Sequence, residues 1–299
     1  MGRARLAALI LTKNEERDLP DCLASLRGLA DEIFVIDSGS TDRTQTIAGE
    51  FGATVLSHPF TSHAAQINWA LENLTTAAEW IMRIDADERV GSTQRDSIRA
   101  ALQQAPAAVA GLEIARRIRF LGRELRHGET YPVWLLRVWR RGQARCEDTW
   151  MDEHMVLHQG MVQRVRGDLI HEIPKDLTEW TAKHNWYASR ECRNLTSRES
   201  AAALGGQAAA KRWLKQNVYL RLPPFYRCFV YWFYRYFLRL GFLDGVEGLI
   251  YHFLQGFWYR FLVDAKLYEA AATRSRLCSH PSDQNVSAAE TRTPVSTVP

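Results

Sequence analysis

The first hundred residues alternate short apolar runs with amphipathic segments, and this alternation constrains the fold most strongly. Apolar runs at 6–11, 32–37, 53–56 and 80–84 have the length of buried strands. Repeated strand–helix units of this kind are typical of a mostly parallel sheet with helices on both faces. The sequence therefore predicts an α/β, Rossmann-like fold. The intervening helices are expected at about 14–25, 43–51, 64–74 and 93–104. Asn14 is expected to cap the first of them, with Glu15 in its first turn.

Polar side chains follow several of these predicted strands. Thr12, Asp37 and Asp85 stand where strands end, and ligands of parallel sheets bind outside the carboxyl ends of the strands. Asp85 and Asp87 are one residue apart and together suit a hard divalent cation such as Mg²⁺ or Mn²⁺, which takes oxygen ligands and can share substrate phosphates. Taken alone, the acidic triplet also fits a solvated turn.

After the first hundred residues, the predicted secondary structure changes twice along the chain, first to mostly strands and then to helices. Strand patterns at 112–118, 135–139 and 161–165 are separated by glycine-bearing turns, and helical patterns follow from about residue 177. We expect an α/β half at 1–110, a mixed half at 111–175, a helical region at 176–272 with a break at 205–206, and a disordered tail at 273–299.

Composition narrows the class of protein. The five cysteines of the 299-residue chain are scattered and form no C-x-x-C pair, which argues against a disulfide framework or a zinc site and fits a reducing compartment. The basic and then apolar start resembles a short signal peptide, but its six apolar residues are better explained as a first core strand. A formal net charge of +4 gives no reason to expect nucleic acid as a partner.

One basic, aromatic region indicates a contact with an anionic surface. Residues 211–240 contain seven basic residues and no acidic one. Within 225–240, Arg227, Arg235 and Arg239 share one helical stripe, and aromatic residues occupy the rest. This pattern is typical of amphipathic helices that lie in a membrane interface with guanidinium groups at anionic headgroups. The alternative is a helical hairpin packed on the catalytic domain, and one hairpin can do both.

Three motifs in order carry a family resemblance. Residues 9–15 (LILTKNE), 35–44 (VIDSGSTDRT) and 85–88 (DADE) resemble the first strand, the second motif and the metal-binding D-x-D of family 2 glycosyltransferases of the GT-A fold. Residues 58–60 (HPF), 66–71 (QINWAL) and 85–90 (DADERV) resemble the lipopolysaccharide-core β-glucosyltransferase branch of that family.

The resemblance implies a set of donor and metal residues. Asp37 is expected to accept a hydrogen bond from the base of a nucleotide sugar, and Asp87 to be the more direct ligand of Mg²⁺ or Mn²⁺, with Asp85 at the ribose or the metal. A late histidine, His171, would lie near the diphosphate or the metal. Glu15 is a donor-binding candidate that could accept from the base as Asp37 does, although it also fits the first turn of a helix, and 38–41 also fits a helix-capping turn. The resemblance makes 1–110 the nucleotide-sugar-binding half of the GT-A domain and 111–175 its acceptor-binding and catalytic half. The remaining donor-binding candidates are Thr12, Asn14, Ser38, Gly39 and Gln66.

The resemblance also implies a general base in the acidic segment 147–154 (EDTWMDEH). The core-glucosyltransferase branch often has Val-His-Glu where this chain has Met151, Asp152 and Glu153, so Glu153 aligns with the glutamate. Glu153 is the first candidate and Asp152 the second, and a solvated loop carboxylate is the alternative. A base must take the proton of the acceptor hydroxyl as the hydroxyl attacks the anomeric carbon.

The expected activity is therefore inverting, metal-dependent hexosyl transfer. The donor would be a UDP-sugar, the acceptor a lipid-linked bacterial glycan such as lipopolysaccharide core, and the location the inner face of the cytoplasmic membrane as a peripheral protein. Two alternatives are a catalytically silent membrane-bound partner and a sugar nucleotidyltransferase, which would need a Gly-rich, Lys-bearing first loop that 12–16 lacks. The sequence gives no indication of the oligomeric state.

Overall fold

A nine-stranded mixed sheet organises the molecule. The computed structural model describes residues 4–147, 154–173, 176–196, 213–215 and 217–278. The sheet strands are β1 Leu6–Thr12, β2 Glu32–Asp37, β3 Thr54–Ser57, β4 Trp80–Arg83, β5 Glu88–Val90, β6 Val109–Phe120, β7 Arg123–Leu125, β8 Val133–Arg140 and β11 Met161–Glu172. Their order in the sheet is β3-β2-β1-β4-β8-β6-β11-β5, with β7 beside β6. Two further strands, β9 Ala144–Cys146 and β10 Met155–Leu157, form a separate hairpin.

Helices cover both faces of the sheet, as predicted. They are α1 Leu19–Leu26, α2 Thr44–Glu50, α3 His63–Asn73, α4 Ser92–Gln104 and α5 Leu177–Thr196 in the part that precedes the C-terminal helices. Alternate residues of β1 point to opposite faces, as strand geometry requires. Leu6, Ala8 and Ile10 pack with α1, α2 and α4, whereas Ala7 and Leu9 pack with α3.

The parallel half positions the polar strand ends at one edge. β2, β1 and β4 are parallel neighbours, and the register pairs Thr12 with Asp37. β8 then enters antiparallel to both β4 and β6, so its residue Arg137 faces the turn that follows β4. The predicted strands of the second half lie within β6, β8 and β11. The GT-A-like arrangement of a mostly parallel sheet, with an added mixed half, follows the prediction.

One helix start differs from the prediction. Asn14 was expected to cap a helix whose first turn holds Glu15, but α1 begins at Leu19. Asn14 instead adopts a positive φ of 57°, which asparagine tolerates better than most residues, and its side chain accepts a hydrogen bond from Thr41 N at 2.8 Å. The loop after β1 is thus held by the loop after β2, and the helix starts only where Pro20 suits a first turn.

Two C-terminal helical arms pack against the second half of the sheet. The first arm is α6, Tyr226–Phe233, continued by a π-helical segment, Tyr234–Leu238. The second arm is α7, Gly245–Tyr251, a π-helical segment, His252–Trp258, and α8, Tyr259–Cys278. Tyr251 packs edge-on against Phe120 at 5.4 Å. The tail predicted at 273–299 is helical as far as Cys278, and 279–299 lies outside the described residues. The predicted break at 205–206 also lies outside the described residues.

Two of the three arginines in the stripe of the first arm are buried and bonded within the protein. For these two, the expectation that they face anionic headgroups was wrong. Arg227 is buried and donates to Asp264 on the second arm. Arg235 is buried and donates to Gly128 O at 2.7 Å. Only Arg239 is exposed, with Glu129 at 3.5 Å. A buried guanidinium needs a carboxylate or carbonyl partner, and the tertiary structure supplies one in both cases.

The opposite side of the arms is apolar and exposed. Tyr226, Phe229, Val230, Phe233 and Phe237 form one stripe at helical spacing, and each is at least 43% exposed. Across the described residues, no helix is both long and apolar enough to span a bilayer.

A buried histidine joins the arms to the sheet. His252 is fully buried between Gly128 and Gly241, and both of its ring nitrogens lack a hydrogen-bond partner. Gly128 has a φ of +67°, and a Cβ there would lie 2.1 Å from His252 Cε1, so only glycine fits. Burial, helped by the charge of Arg235, lowers the pKa of His252 to about 4.

We expect acid to destabilise this junction. Between a reference pKa of 6.5 and a folded pKa of about 4, the unfolded chain binds the His252 proton more strongly than the folded protein does. The free energy of unfolding should therefore fall as pH drops through this window, by about 3 kcal/mol at the acid end. Urea unfolding of wild type and His252→Gln at several pH values measures the effect. The variant should show the shallower pH dependence, and parallel curves would refute this account.

Candidate active site

Asp37 organises the turn that follows β2. Its two carboxylate oxygens accept from Gly39 N and Ser40 N, both at 2.9 Å, from Ser40 Oγ at 2.5 Å, from Gln45 Nε2 at 2.8 Å and from Thr12 Oγ1 at 3.2 Å. Burial acts to raise the pKa of Asp37, but these hydrogen bonds outweigh it and lower the pKa. The carboxylate is therefore ionised and held by its own turn, by Thr12 on β1 and by Gln45 on α2, and its contact with a base stays a prediction.

The other donor-binding candidates gather around the same turn. Gln66, buried on α3, donates to Ser38 Oγ at 2.5 Å. Asn14 N donates to Ser40 Oγ at 2.9 Å, and Gly39, with a φ of +81°, lets the backbone turn back toward Asp37. These residues form one hydrogen-bonded network at the carboxyl ends of β1 and β2: Thr12, Asn14, Asp37, Ser38, Gly39 and Gln66. The space outside these strand ends is the cleft in which a parallel sheet is expected to bind its ligand.

Glu15 contributes a carboxyl group to this cleft. Its backbone N–H donates to Thr44 Oγ1 at 2.8 Å. Burial raises the pKa of Glu15 to about 7, and the charge of Asp87 adds to the shift while Lys183 opposes it. Glu15 therefore lies close enough to Asp87 for the two carboxyl groups to influence each other's ionisation.

The acidic turn after β4 is held by a buried cation. Arg137 Nη2 donates to Asp85 Oδ2 at 2.9 Å and to Glu88 Oε1 at 2.5 Å. Asp85 N donates to Glu88 Oε2 at 3.0 Å, which closes the turn, and Arg83 Nε lies 3.4 Å from Asp85 Oδ1. Burial acts to raise the pKa of Asp85, but Arg137 and Arg83 outweigh it and hold the pKa well below its usual range.

Asp87 and His171 face each other across β5 and β11. Asp87 Oδ1 lies 3.3 Å from His171 Nδ1, and His171 Nδ1 is buried without a hydrogen bond. Burial acts to raise the pKa of Asp87, whereas His171 and Lys183 lower it overall. An ionised carboxylate and an unsatisfied imidazole nitrogen suit a divalent cation. In the described part of the chain, no group of three or more such side chains is already arranged to hold one.

The two base candidates, Asp152 and Glu153, lie outside the described residues. The ends of their segment are well held. Glu147 N donates to His154 O at 3.0 Å, and the side chains of these two residues lie 3.1 Å apart. Asn68 on α3 exchanges two hydrogen bonds with the Cys146 backbone, at 3.0 and 2.9 Å. Glu147 and His154, which flank 148–153, are therefore paired next to a strand that α3 ties to the donor half.

Sequence reasoning missed three residues near this cleft. Arg137 could have been found, because it is a lone charge within an apolar strand pattern (LLRVW). His63, at the start of α3, interacts with Asp85 and Arg83, and burial lowers its pKa to about 4. Lys183 on α5 interacts with Asp87 and Glu15. For His63 and Lys183 the sequence offered no comparable signal.

Removing the cation of Arg137 should destabilise the protein strongly. We expect Arg137→Met to reduce the free energy of unfolding by about 3–5 kcal/mol, because it leaves Glu88 buried without its partner. The double variant Arg137→Met with Glu88→Gln should recover a large part of the loss, since an amide oxygen still accepts from Asp85 N. Urea unfolding measures both. A single variant as stable as wild type would contradict the role of the ion pair.

Relatives of known class match this chain. A curated protein from Rhizobium meliloti (strain 1021), the lipopolysaccharide core biosynthesis glycosyltransferase LpsC, is 29% identical over 91% of this chain and 94% of its own length. An uncharacterized glycosyltransferase from Rickettsia bellii is 36% identical over 31% of each chain.

Solved structures are more distant. Glucosyl-3-phosphoglycerate synthase from Mycobacterium tuberculosis, solved with Mn²⁺, UDP and glucosyl-3-phosphoglycerate, aligns with a TM-score of 0.32 and 22% identity over 39% of this chain and 44% of that one.

The family assignment rests on a sequence profile. The profile of Glycosyl transferase family 2 matches residues 8–168, more than half of the chain, and includes the donor-binding candidates together with Asp85 and Asp87, whereas His171 lies just beyond it. The predicted GT-A fold and the predicted enzyme class, a hexosyltransferase, are thereby confirmed. The chain belongs to glycosyl transferase family 2.

Proposed function

We propose that this glycosyltransferase moves a hexosyl group, with inversion, from a UDP-sugar to a lipid-linked bacterial glycan of the lipopolysaccharide-core type. The observation that carries the proposal is the pairing of Asp87 Oδ1 with the unsatisfied Nδ1 of His171, 3.3 Å apart, at the cleft edge formed by the ends of β1, β2 and β4. A diphosphate bound there through a cation would leave the sugar at the mouth of the cleft.

Asp87 and His171 would hold Mg²⁺ or Mn²⁺, with Asp85 beside them. The cation would supply Lewis-acid stabilisation of the charge on the departing nucleoside diphosphate. Arg137 and Arg83 keep Asp85 ionised and fix its orientation, so that the acidic turn does not rearrange when a donor enters. The network of Thr12, Ser38 and Gln66 would orient the nucleoside.

Glu153 is proposed as the general base, with Asp152 as the second candidate. The acceptor hydroxyl oxygen would form a bond to the anomeric carbon as the bond from that carbon to the diphosphate oxygen breaks. The hydroxyl proton would pass to the carboxylate, and the electron pair of the broken bond would leave with the diphosphate. A single displacement of this kind inverts the anomeric centre and needs no covalent sugar–enzyme intermediate. The hairpin anchored by Asn68 would carry the base toward the cleft.

The acceptor class is supported by the relative and by the arms. The name of the Rhizobium meliloti protein places it in lipopolysaccharide core biosynthesis, and the similarity extends over 91% of this chain. The exposed apolar stripe of the first arm suits insertion among lipid acyl chains, and we propose peripheral attachment to the inner face of the cytoplasmic membrane. Because Arg227 and Arg235 are internal, attachment would depend more on apolar burial than on headgroup charge.

A catalytically silent scaffold is the alternative. The proximity of Asp87 to His171, with Asp85 beside them, favours the active enzyme, because these residue types at one place suit a divalent cation. The loop after β1 has no glycine for cradling a triphosphate, which disfavours a sugar nucleotidyltransferase.

Two substitutions should separate metal binding from proton transfer. Asp87→Asn should abolish Mn²⁺-dependent binding of UDP and reduce transfer by at least about a thousandfold, because the cation loses its anionic ligand. Glu153→Gln should leave UDP binding unchanged while reducing transfer by about a hundredfold or more, because the base is lost. Calorimetry with UDP and Mn²⁺, together with a UDP-release assay, measures both. Normal transfer by Asp87→Asn would exclude the metal role, and normal transfer by Glu153→Gln would move the base to Asp152.

Charging the exposed stripe should release the protein from membranes. We expect the double variant Phe229→Glu with Phe233→Glu to lose at least about tenfold in affinity for phosphatidylglycerol–phosphatidylethanolamine vesicles, because two half-exposed phenyl rings no longer enter the bilayer. Vesicle co-sedimentation measures the affinity.

The matched control replaces two exposed apolar residues at the start of β11, Met161→Glu and Val162→Glu. These residues lie outside the arms and should leave vesicle binding unchanged. Equal binding by the arm variant and wild type would rule out the stripe as the attachment surface.

A further inference from the structure

Helix α5 lies across the strand ends that form the cleft. Near its start, Glu179 accepts from Arg17 in the loop after β1 at 3.0 Å. Near its end, the Arg190 guanidinium lies 5.9 Å from the ring of Phe60, in the loop after β3. The helix therefore bridges the outer loops of the donor half.

Helix geometry places Lys183 on the side of α5 that faces the cleft. Residues 179, 183 and 190 are separated by four and seven positions, which returns the helix to nearly the same face each time. Glu179 and Arg190 contact the loops at the two sides of the cleft, so Lys183 between them points toward its centre. The electrostatic interactions of Lys183 with Asp87, Glu15 and Asp85 agree with this position.

The ammonium group of Lys183 is available for a ligand. Residue 183 is exposed, and its Nζ lies 6.0 Å from the centroid of the Tyr187 ring, whose hydroxyl it can also contact. No carboxylate of the described residues forms an ion pair with it, although three surround the cleft. The part of the side chain that is shielded from water acts to lower the pKa of Lys183, but Tyr187, Asp87 and Glu15 outweigh this and raise the pKa, so the group is charged at neutral pH.

We propose that Lys183 binds the diphosphate of the nucleotide-sugar donor from the α5 side of the cleft, opposite Asp87. This inference rests on the proposed function. Lysine serves phosphates as a mobile point charge, and its long side chain can follow a diphosphate from the bound state to the leaving state. The diphosphate would carry negative charge into a cleft that already holds several carboxylates, and Lys183 offsets the resulting repulsion.

The test compares nucleoside diphosphates with monophosphates. Wild type is titrated calorimetrically with UDP, GDP and dTDP and with the corresponding monophosphates in Mn²⁺, and the best-bound pair is used for the variants. We expect Lys183→Met to weaken diphosphate binding about tenfold and monophosphate binding less than about twofold, and Lys183→Arg to restore most of the loss. In steady-state assays, Lys183→Met should raise KM for the donor.

Lys266→Met is the matched control. Lys266 lies on α8 and interacts with Cys192 on the side of α5 that packs against the arms, so this variant should bind both nucleotides as wild type does. Equal losses of diphosphate and monophosphate binding in Lys183→Met, or no loss, would overturn the assignment of Lys183 alone. Failure of wild type to bind any of the six nucleotides would overturn the proposed donor chemistry and the role of Lys183 together.

Discussion

The buried guanidinium of Arg137 is the interaction on which the acidic turn depends. It contacts Asp85 and Glu88 at 2.9 and 2.5 Å, and Glu88 is fully buried. Without a cation, two carboxylates this close together, one of them fully buried, would repel each other and take up protons. Because β8 runs antiparallel beside β4, its inward-facing arginine reaches the turn from within the sheet. The change from parallel to antiparallel pairing is therefore part of how the fold keeps Asp85 ionised.

The position of α5 depends on the second arm. This helix faces the cleft on one side and the arms on the other. Trp180 stacks on His184 at 3.5 Å and approaches Trp258 at 6.3 Å, while Glu191 accepts from Tyr259 at 2.5 Å and from Arg260 at 3.2 Å. The helix that carries Lys183 is thus positioned by the second arm.

Sequence patterns predicted the structure correctly where the residue types alone indicate burial or exposure. The apolar runs of β1, β2 and β4 and the polar residues at their ends were predicted because burial and strand period are local properties. Asn14 was misassigned as a helix cap because its partner, Thr41, belongs to another loop. The arginine stripe of the first arm was assigned to headgroups for a similar reason. An amphipathic pattern shows that arginines share a face, but it does not show that Asp264 and Gly128 lie opposite them.

The sequence by itself determined the α/β class, the family and the order of the motifs, because these depend on periodicity and on residues close together in the chain. Only the tertiary structure decided what each charged group meets. It engaged Asp37 within its own turn, paired Asp85 with Arg137, set His171 against Asp87 and brought Lys183 over the cleft from a helix nearly a hundred residues away in the chain. The physical reason is that electrostatic partners are chosen by distance in space, and contacts between remote strands and helices leave no local pattern in the sequence.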